Sequence, residues 1–134
     1  MSIPENLMYT NTHEWLEFVS ENSVRIGITD FAQKRMRGIV FIDLLCIGDT
    51  VAVGQRFGDI ESIKAVFEVF SPVSGIVAAV NTDVIDAPEK INESPYESWL
   101  IEVSDVTSYT EKLLDADVYR KAAWDDNAGE NEEG

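Results

Sequence analysis

Short apolar segments separated by turn-forming residues recur along the chain, and they constrain its fold more than any other feature. In "SVRIGIT", Val24, Ile26 and Ile28 alternate with Arg25 and Gly27, which places the three apolar side chains on one face of a strand. The segments "EWLEFVS" and "SWLIEVS" are also typical of short, half-buried strands. Several short strands at regular spacing predict a mainly β fold, either a sandwich or a barrel.

A short helix is predicted between two of these strands. In "TDFAQKRM", Asp30 precedes Gln33 by three residues, which is the spacing of a capping box at the start of a helix. Gly38 follows closely and is a residue type that often ends a helix. We therefore expect a helix over about residues 31–36.

A second helix is predicted near the C-terminus. Ser108 and Glu111 have the same capping-box spacing, and apolar residues then recur at intervals of four at Leu114, Val118 and Ala122. The last segment, "DDNAGENEEG", contains acids and no bases, which predicts a disordered acidic tail at residues 125–134. The preceding residues 1–124 are expected to form a single domain.

The charge of the chain limits its partners. Its 134 residues include 25 acids and 10 bases, and the formal net charge is -15. Such a charge repels phosphate backbones and anionic lipid surfaces, so nucleic acids and membranes are poor candidates. It favours encounters with proteins that present basic patches. We expect a cytosolic protein, or the processed form of an organellar one, because neither a secretory signal nor a long apolar run is evident.

Few side chains are available for catalysis or metal binding. The chain has one cysteine, Cys46, within the apolar run "FIDLLCIG", where we expect a buried and unreactive thiol. It has one histidine, His13, far from the cysteine in sequence. Two such residues do not supply the three or four ligands that zinc requires. The sequence thus offers no positive indication of an enzyme.

One lysine differs from the others in its setting. We place Lys34, Lys112 and Lys121 in helices and Lys90 in a loop, where an exposed charge is ordinary. Lys64 lies between two strand-like segments, so a hairpin would present its amine at the tip. This position suits the covalent attachment of a cofactor arm. A lysine that only solubilises the turn is the alternative on spacing alone.

A long segment around Lys64 resembles a known family. "ESIKAVFEVFSPVSGIVAAVN" is similar to the lipoylation segment of glycine cleavage system H proteins, whose pattern is approximately E-S-V-K-A, then S-P-V-S-G, then V-N. Five other segments resemble motifs of that family and occur in the same order, namely "YTNTHEW", "VRIGITDFAQ", "GIVFIDL", "NESPY" and "LLDADVY". The resemblance covers about residues 8–120.

The resemblance implies a lipoyl-type barrel-sandwich hybrid, with two small antiparallel sheets, short flanking helices and a C-terminal helix. It implies that Lys64 carries lipoate in amide linkage. Glu61, Ser62 and Ala65 match the neighbours that the lipoate-attaching enzyme is expected to recognise. Glu14 matches a family glutamate near the cleft in which the loaded arm rests.

The resemblance also implies a carrier function without catalysis. The lipoyl-lysine arm would take the aminomethyl group of glycine from the pyridoxal-phosphate-dependent glycine decarboxylase (P protein) to the tetrahydrofolate-dependent aminomethyltransferase (T protein). The dihydrolipoyl dehydrogenase (L protein) would then reoxidise the arm. A monomer is expected, in the bacterial cytoplasm or, for a processed chain, in the mitochondrial matrix.

Some segments depart from the family pattern. "QKRMRGIVF" brings three bases together, and "FEVF" replaces more polar residues, so that Phe67 and Phe70 are either core residues or an apolar rest for the arm. A biotin carrier is disfavoured, since Ile63 and Ala65 stand where methionines usually flank the biotinylated lysine. Two alternatives stay open, namely an H-like carrier that serves lipoyl transfer to other enzymes, and an unmodified acidic protein-binding domain.

Overall fold

A computed structural model describes the backbone of residues 2–133 and the side chains of residues 2–124. The strands are β1 (Met8–Tyr9), β2 (Glu14–Ser20), β3 (Ser23–Ile28), β4 (Ile39–Leu44), β5 (Thr50–Val51), β6 (Arg56–Ser62), β7 (Val66–Phe70), β8 (Val73–Val80) and β9 (Ile101–Tyr109). The helices are α1 (Asp30–Met36), α2 (Thr82–Asp86), α3 (Glu89–Glu93) and α4 (Ala116–Glu133). The predicted disordered tail at residues 125–134 lies outside the residues whose side chains are described, and it stays a prediction.

Two antiparallel sheets form the body of the protein, which confirms the predicted fold class. One sheet has the order β1-β2-β3-β9-β8-β5 and the other has the order β4-β6-β7. Their inner faces meet in one core, to which Ile26 contributes from the first sheet and Ile42 and Ile60 from the second. The alternation in β3 is confirmed, because Val24, Ile26 and Ile28 are all buried. Both strand orders are linear, so the described strands form open sheets and not a closed barrel.

The helix α1 begins one residue earlier than predicted and has a different cap. Thr29 is the N-cap, and its hydroxyl accepts a hydrogen bond from the Ala32 N–H at 3.2 Å. Asp30 is already helical, and its carboxylate accepts a hydrogen bond from the Gln33 side-chain amide at 2.8 Å. A threonine and an aspartate are both good caps, so the spacing alone did not separate them.

The predicted pattern for the terminal helix was wrong. Ser108 belongs to β9, and the helix begins only at Ala116, with Asp115 accepting from the Val118 N–H at 2.9 Å. The buried face carries Ala116, Tyr119 and Ala123, whereas Val118 is exposed. Tertiary packing selects the face of the helix that is buried, because the Tyr119 ring stacks on the Tyr9 ring with centroids 4.7 Å apart. This contact could not be read from apolar periodicity.

Four further expectations are corrected. Lys90 lies in the short helix α3 and not in a plain loop, and Lys112 lies in the turn before α4. The strand β9 begins at Ile101, so "SWL" precedes it. Cys46 is exposed, and it lies beyond the end of β4 at Leu44.

Candidate functional site

Lys64 lies at the tip of the hairpin formed by β6 and β7. The last pair of the ladder joins Glu61 to Val66, and residues 63–65 make the connection. The side chain of Lys64 is exposed, as are those of Glu61 and Ala65. The two strands are tied into a sheet, so the amine is presented to other molecules from a defined position.

Ser62 organises the turn from inside. Its side chain is buried, and its hydroxyl oxygen accepts hydrogen bonds from the N–H groups of Lys64 and Ala65, both at 3.3 Å. The Ser62 N–H donates to the Ala65 carbonyl at 2.8 Å. The turn is also tied to the end of α1, since the Ile63 N–H donates to the Gly38 carbonyl at 3.2 Å. Ser62 therefore shapes the turn from which Lys64 projects.

Glu14 is buried, with 1% of its surface exposed. The hydroxyls of Thr10 and Thr12 both donate to Oε1, and the Phe70 N–H donates to Oε2 at 3.2 Å. Phe70 ends β7, so the carboxylate is anchored to the same strand that leads to the Lys64 turn. An ordinary exposed glutamate at a strand start is excluded.

The Glu14 carboxylate borders a cavity of about 350 Å³. The cavity is lined by both polar and apolar residues, including Thr10, Thr12, Glu14, Val53, Phe70 and Pro72. The groups that donate hydrogen bonds to the Glu14 carboxylate, the hydroxyls of Thr10 and Thr12 and the Phe70 N–H, are all neutral. A carboxylate in this setting can bind a small cation that enters the cavity.

The pKa of Glu14 is raised, mainly because burial disfavours the carboxylate. Hydrogen bonds from Thr10, Thr12 and the Phe70 N–H act in the opposite direction but do not cancel the effect of burial. An entering ammonium group would favour the ionised form. The site is thus better suited to a cation than to an anion.

The turn before Glu14 is held by the terminal helix. His13 has a φ of 72°, and its N–H donates to the Thr10 carbonyl at 3.1 Å. The His13 Nδ1 lies 2.8 Å from the Tyr119 hydroxyl, which lies 2.7 Å from the Thr29 hydroxyl. Sequence reasoning missed Thr10 and Thr12, although both stand in "TNTHEW" within four residues of Glu14.

A second cavity of about 440 Å³ lies beside the first, and Thr12 borders both. Phe67 lines this second cavity together with Ala32 and Met36 of α1, and Phe70 lines the first. Both phenylalanines are half-buried, and Phe67 also packs against the core. The two cavities follow β7 away from the Lys64 turn.

Other kinds of site find no support in the part of the chain that is described. No group of three or more histidine, cysteine, aspartate or glutamate side chains is arranged to hold a metal ion there. Within the same residues, every helix is too short or too polar to cross a membrane. The Lys64 hairpin and the Glu14 cavity are therefore the features to be explained.

The chain is similar to proteins of one kind over most of its length. The family described as "Glycine cleavage H-protein" matches residues 7–126. A glycine cleavage system H protein from Bacillus cereus is 49% identical over 122 residues, which are 89% of this chain and 94% of that protein. One from Lachnoclostridium phytofermentans is 45% identical over 113 residues, 84% of this chain and 89% of that protein.

A solved structure agrees with these sequences. The crystal structure of a glycine cleavage system H protein from Mycobacterium marinum matches this fold with a TM-score of 0.80 at 35% identity. The match covers 87% of this chain and 95% of that one. Sequence and fold thus agree.

Proposed function

The chain belongs to the glycine cleavage H-protein family, and from this premise we propose that Lys64 is the residue that bears its lipoyl group. Members of this family are the lipoyl carriers of the glycine cleavage system and are not catalysts, and lipoate is attached covalently to one of their lysines. The observation that supports Lys64 is its exposed position at the tip of the β6–β7 hairpin.

The residues present suit such a group. The Lys64 amine is open to an attaching enzyme, and two cavities follow β7 from the turn towards Glu14. The lipoyl group supplies a disulfide that opens to accept a substrate fragment and is reoxidised afterwards. The protein contributes position, because a tethered arm raises the effective concentration at each enzyme.

We assign Glu14 to the binding of the cargo. The aminomethyl group carries a primary ammonium, and the Glu14 carboxylate borders the cavity with hydrogen bonds from neutral donors alone. Pairing in a half-closed cavity would keep water from the labile group between enzymes. Thr10 and Thr12 would hold the carboxylate in place.

The family implies that the chain acts with other components of the glycine cleavage system. We propose that these are the decarboxylase, the aminomethyltransferase and the dihydrolipoyl dehydrogenase, together with the lipoate-attaching enzyme. Glu61 and Ala65 are exposed and suit direct recognition by the attaching enzyme. Ser62 is buried, so its part is to shape the turn. The relatives named above are bacterial, and we place the carrier in the bacterial cytoplasm as a monomer.

The direct test is the mass of the protein taken from its native host. A gain equal to one lipoyl group, located to Lys64 by a digest, is the expected result. An unmodified Lys64 in cells that lipoylate other proteins would contradict the proposal and favour an acidic protein-binding domain.

Ser62→Ala should slow lipoylation of Lys64 severalfold while lowering the free energy of unfolding by only about 1 kcal/mol. The substitution removes the acceptor of the Lys64 and Ala65 N–H groups, so the turn samples other conformations. The rate is measured with the attaching enzyme and lipoate. Ser74→Ala is the matched control, since the Ser74 hydroxyl accepts a backbone hydrogen bond from Val53 at 2.9 Å in another loop. Equal rates for the two variants would contradict the role of Ser62.

Glu14→Ala should speed the loss of the aminomethyl group from the isolated, loaded chain by roughly tenfold or more, because a charge-assisted hydrogen bond is removed. Glu14→Gln keeps the shape of the side chain and removes its charge, and we expect it to speed the loss of the aminomethyl group to a similar extent. The release of the cargo is followed by mass spectrometry. Glu17→Ala, on the same strand, is the control and should behave as wild type. An unchanged rate in both Glu14 variants would remove Glu14 from this role.

The retention should depend on pH. Burial raises the pKa of Glu14 in the unloaded chain, and the bound ammonium favours the carboxylate, so we expect retention to fall when the pH is low enough to protonate Glu14 in the loaded chain. The contribution of Glu14 to stability has the opposite sign: it is greatest at acid pH and is lost as the pH rises through the folded-state pKa. Retention and the free energy of unfolding, each measured across the acid range in the wild type and in Glu14→Gln, separate the two effects.

A further inference from the structure

Four large apolar side chains are exposed around the Lys64 turn. They form what we call the apolar rim, with exposures between 54% and 79%: Val40, Phe41, Ile63 and Val66. Single exposed apolar residues need no explanation, but a contiguous group beside a functional side chain indicates an interaction site.

The register of the three-stranded sheet makes these residues neighbours. Phe41 is paired with Glu61, and Glu61 is paired with Val66, so the three side chains form one row on the outer face. Val40 lies where the ladder between β4 and β6 shifts by one residue. Ile63 directly precedes Lys64. The apolar rim thus surrounds the base of the arm.

The core does not account for the apolar rim. Ile39, Ile42 and Ile60 fill the inner face of the same sheet and are buried. Side chains alternate between the faces of a strand, so Phe41 and Val66 stand on the face that no described element covers and are about 60% exposed (57% and 59%). The fold leaves these two side chains exposed, so a partner can contact them.

The next row on this face is acidic. Asp43 is paired with Asp59, and Asp59 is paired with Glu68. Arg56 contacts two of these three acids, Asp59 at 3.2 Å and Glu68 at 3.9 Å. Acylation of a lysine removes its positive charge. Once Lys64 is modified, the outer face combines an apolar rim with an excess of negative charge.

We propose that the apolar rim docks on an enzyme whose active-site entrance is an apolar collar flanked by basic side chains. The inference rests on the proposed function, since an arm attached to Lys64 can enter a channel only when the rim meets its mouth. Apolar contacts at the centre would give most of the affinity, and the acidic row would orient the encounter. The partner on which we test this surface is the pyridoxal-phosphate-dependent decarboxylase.

The test compares Phe41→Ser with Phe18→Ser. Phe18 lies on β2 of the other sheet and has a similar exposure, 54% against 57% for Phe41. Both chains are first lipoylated, and the mass of each is checked. The rate of the decarboxylase with glycine is then measured against the concentration of carrier. Phe41→Ser should raise the half-saturating concentration about tenfold with the maximal rate unchanged, whereas Phe18→Ser should match the wild type.

A second variant, Val66→Thr, should shift the half-saturating concentration in the same direction and keeps a β-branched side chain in the strand. For the wild type, this concentration should rise with added salt. Equal half-saturating concentrations for Phe41→Ser, Val66→Thr and Phe18→Ser would overturn the docking surface. A half-saturating concentration of the wild type that does not change with salt would overturn the proposal that basic side chains flank the partner's entrance. If the lipoylated wild-type chain supports no reaction, the proposed function is itself overturned and the docking inference with it.

Discussion

Lys64→Arg is expected to abolish the gain of a lipoyl group and every activity that depends on it. Arginine keeps the positive charge and the backbone N–H that donates to Ser62, but its guanidinium stays protonated and does not form the amide. The Lys64 side chain is exposed, so the substitution removes no packing. The fold and the thermal unfolding temperature should therefore stay as in the wild type.

The measurement is the intact mass after incubation with the lipoate-attaching enzyme, lipoate and ATP. Lys90→Arg is the matched control, because Lys90 is also exposed but lies in α3. We expect the full gain of mass in Lys90→Arg and none in Lys64→Arg. Lipoylation of the Lys64→Arg chain at another lysine would overturn the assignment of the arm.

Gly27→Ala is expected to lower the free energy of unfolding by about 3 kcal/mol, at the upper end of the range for overpacking. Gly27 and Trp15 are a cross-strand pair, and a Cβ at position 27 would lie 2.5 Å from two atoms of the indole ring. The ring does not yield easily, because it is buried and its Nε1–H donates to the Pro95 carbonyl at 3.1 Å. Displacing it would also disturb the start of β2, where Glu14 lies.

Urea unfolding of the two proteins gives this difference directly. Gly38→Ala is the control, since the nearest contact of its added Cβ is the tip of the exposed Ile63 side chain at 3.2 Å, which can move aside. We expect the free energy of unfolding of Gly38→Ala to lie within about 0.5 kcal/mol of the wild-type value. Similar losses in the two variants would show that Trp15 does not resist displacement.

Local pattern accounts for much of the fold and for the position of Lys64. The alternation in β3 predicted the buried face correctly, and two apolar runs around Lys64 predicted a hairpin with this lysine at its tip. Both inferences depend on near neighbours in sequence, since the period of a strand is two residues. The cap of α1 was missed because Thr29 and Asp30 are adjacent and are both good caps.

Contacts between segments that are distant in sequence could not be predicted from local pattern. The face of α4 that is buried is chosen by the stacking of Tyr119 on Tyr9, 110 residues apart, and not by the periodicity of its apolar residues. Cys46 lies in an apolar run but is exposed, because the strand ends two residues earlier. In each case the local pattern allowed more than one arrangement.

The sequence by itself determined that this is an acidic, mainly β chain of the H-protein family with a lysine between two strands, because strand period and family motifs are properties of adjacent residues. Only the tertiary structure decided that Glu14 is buried beside a cavity, with Phe70 of the Lys64 hairpin donating to its carboxylate. Only the sheet register decided that Phe41 and Val66 lie in one row beside the Lys64 turn. These residues meet because antiparallel pairing and core packing close large loops of chain, and a linear pattern does not specify which closures form.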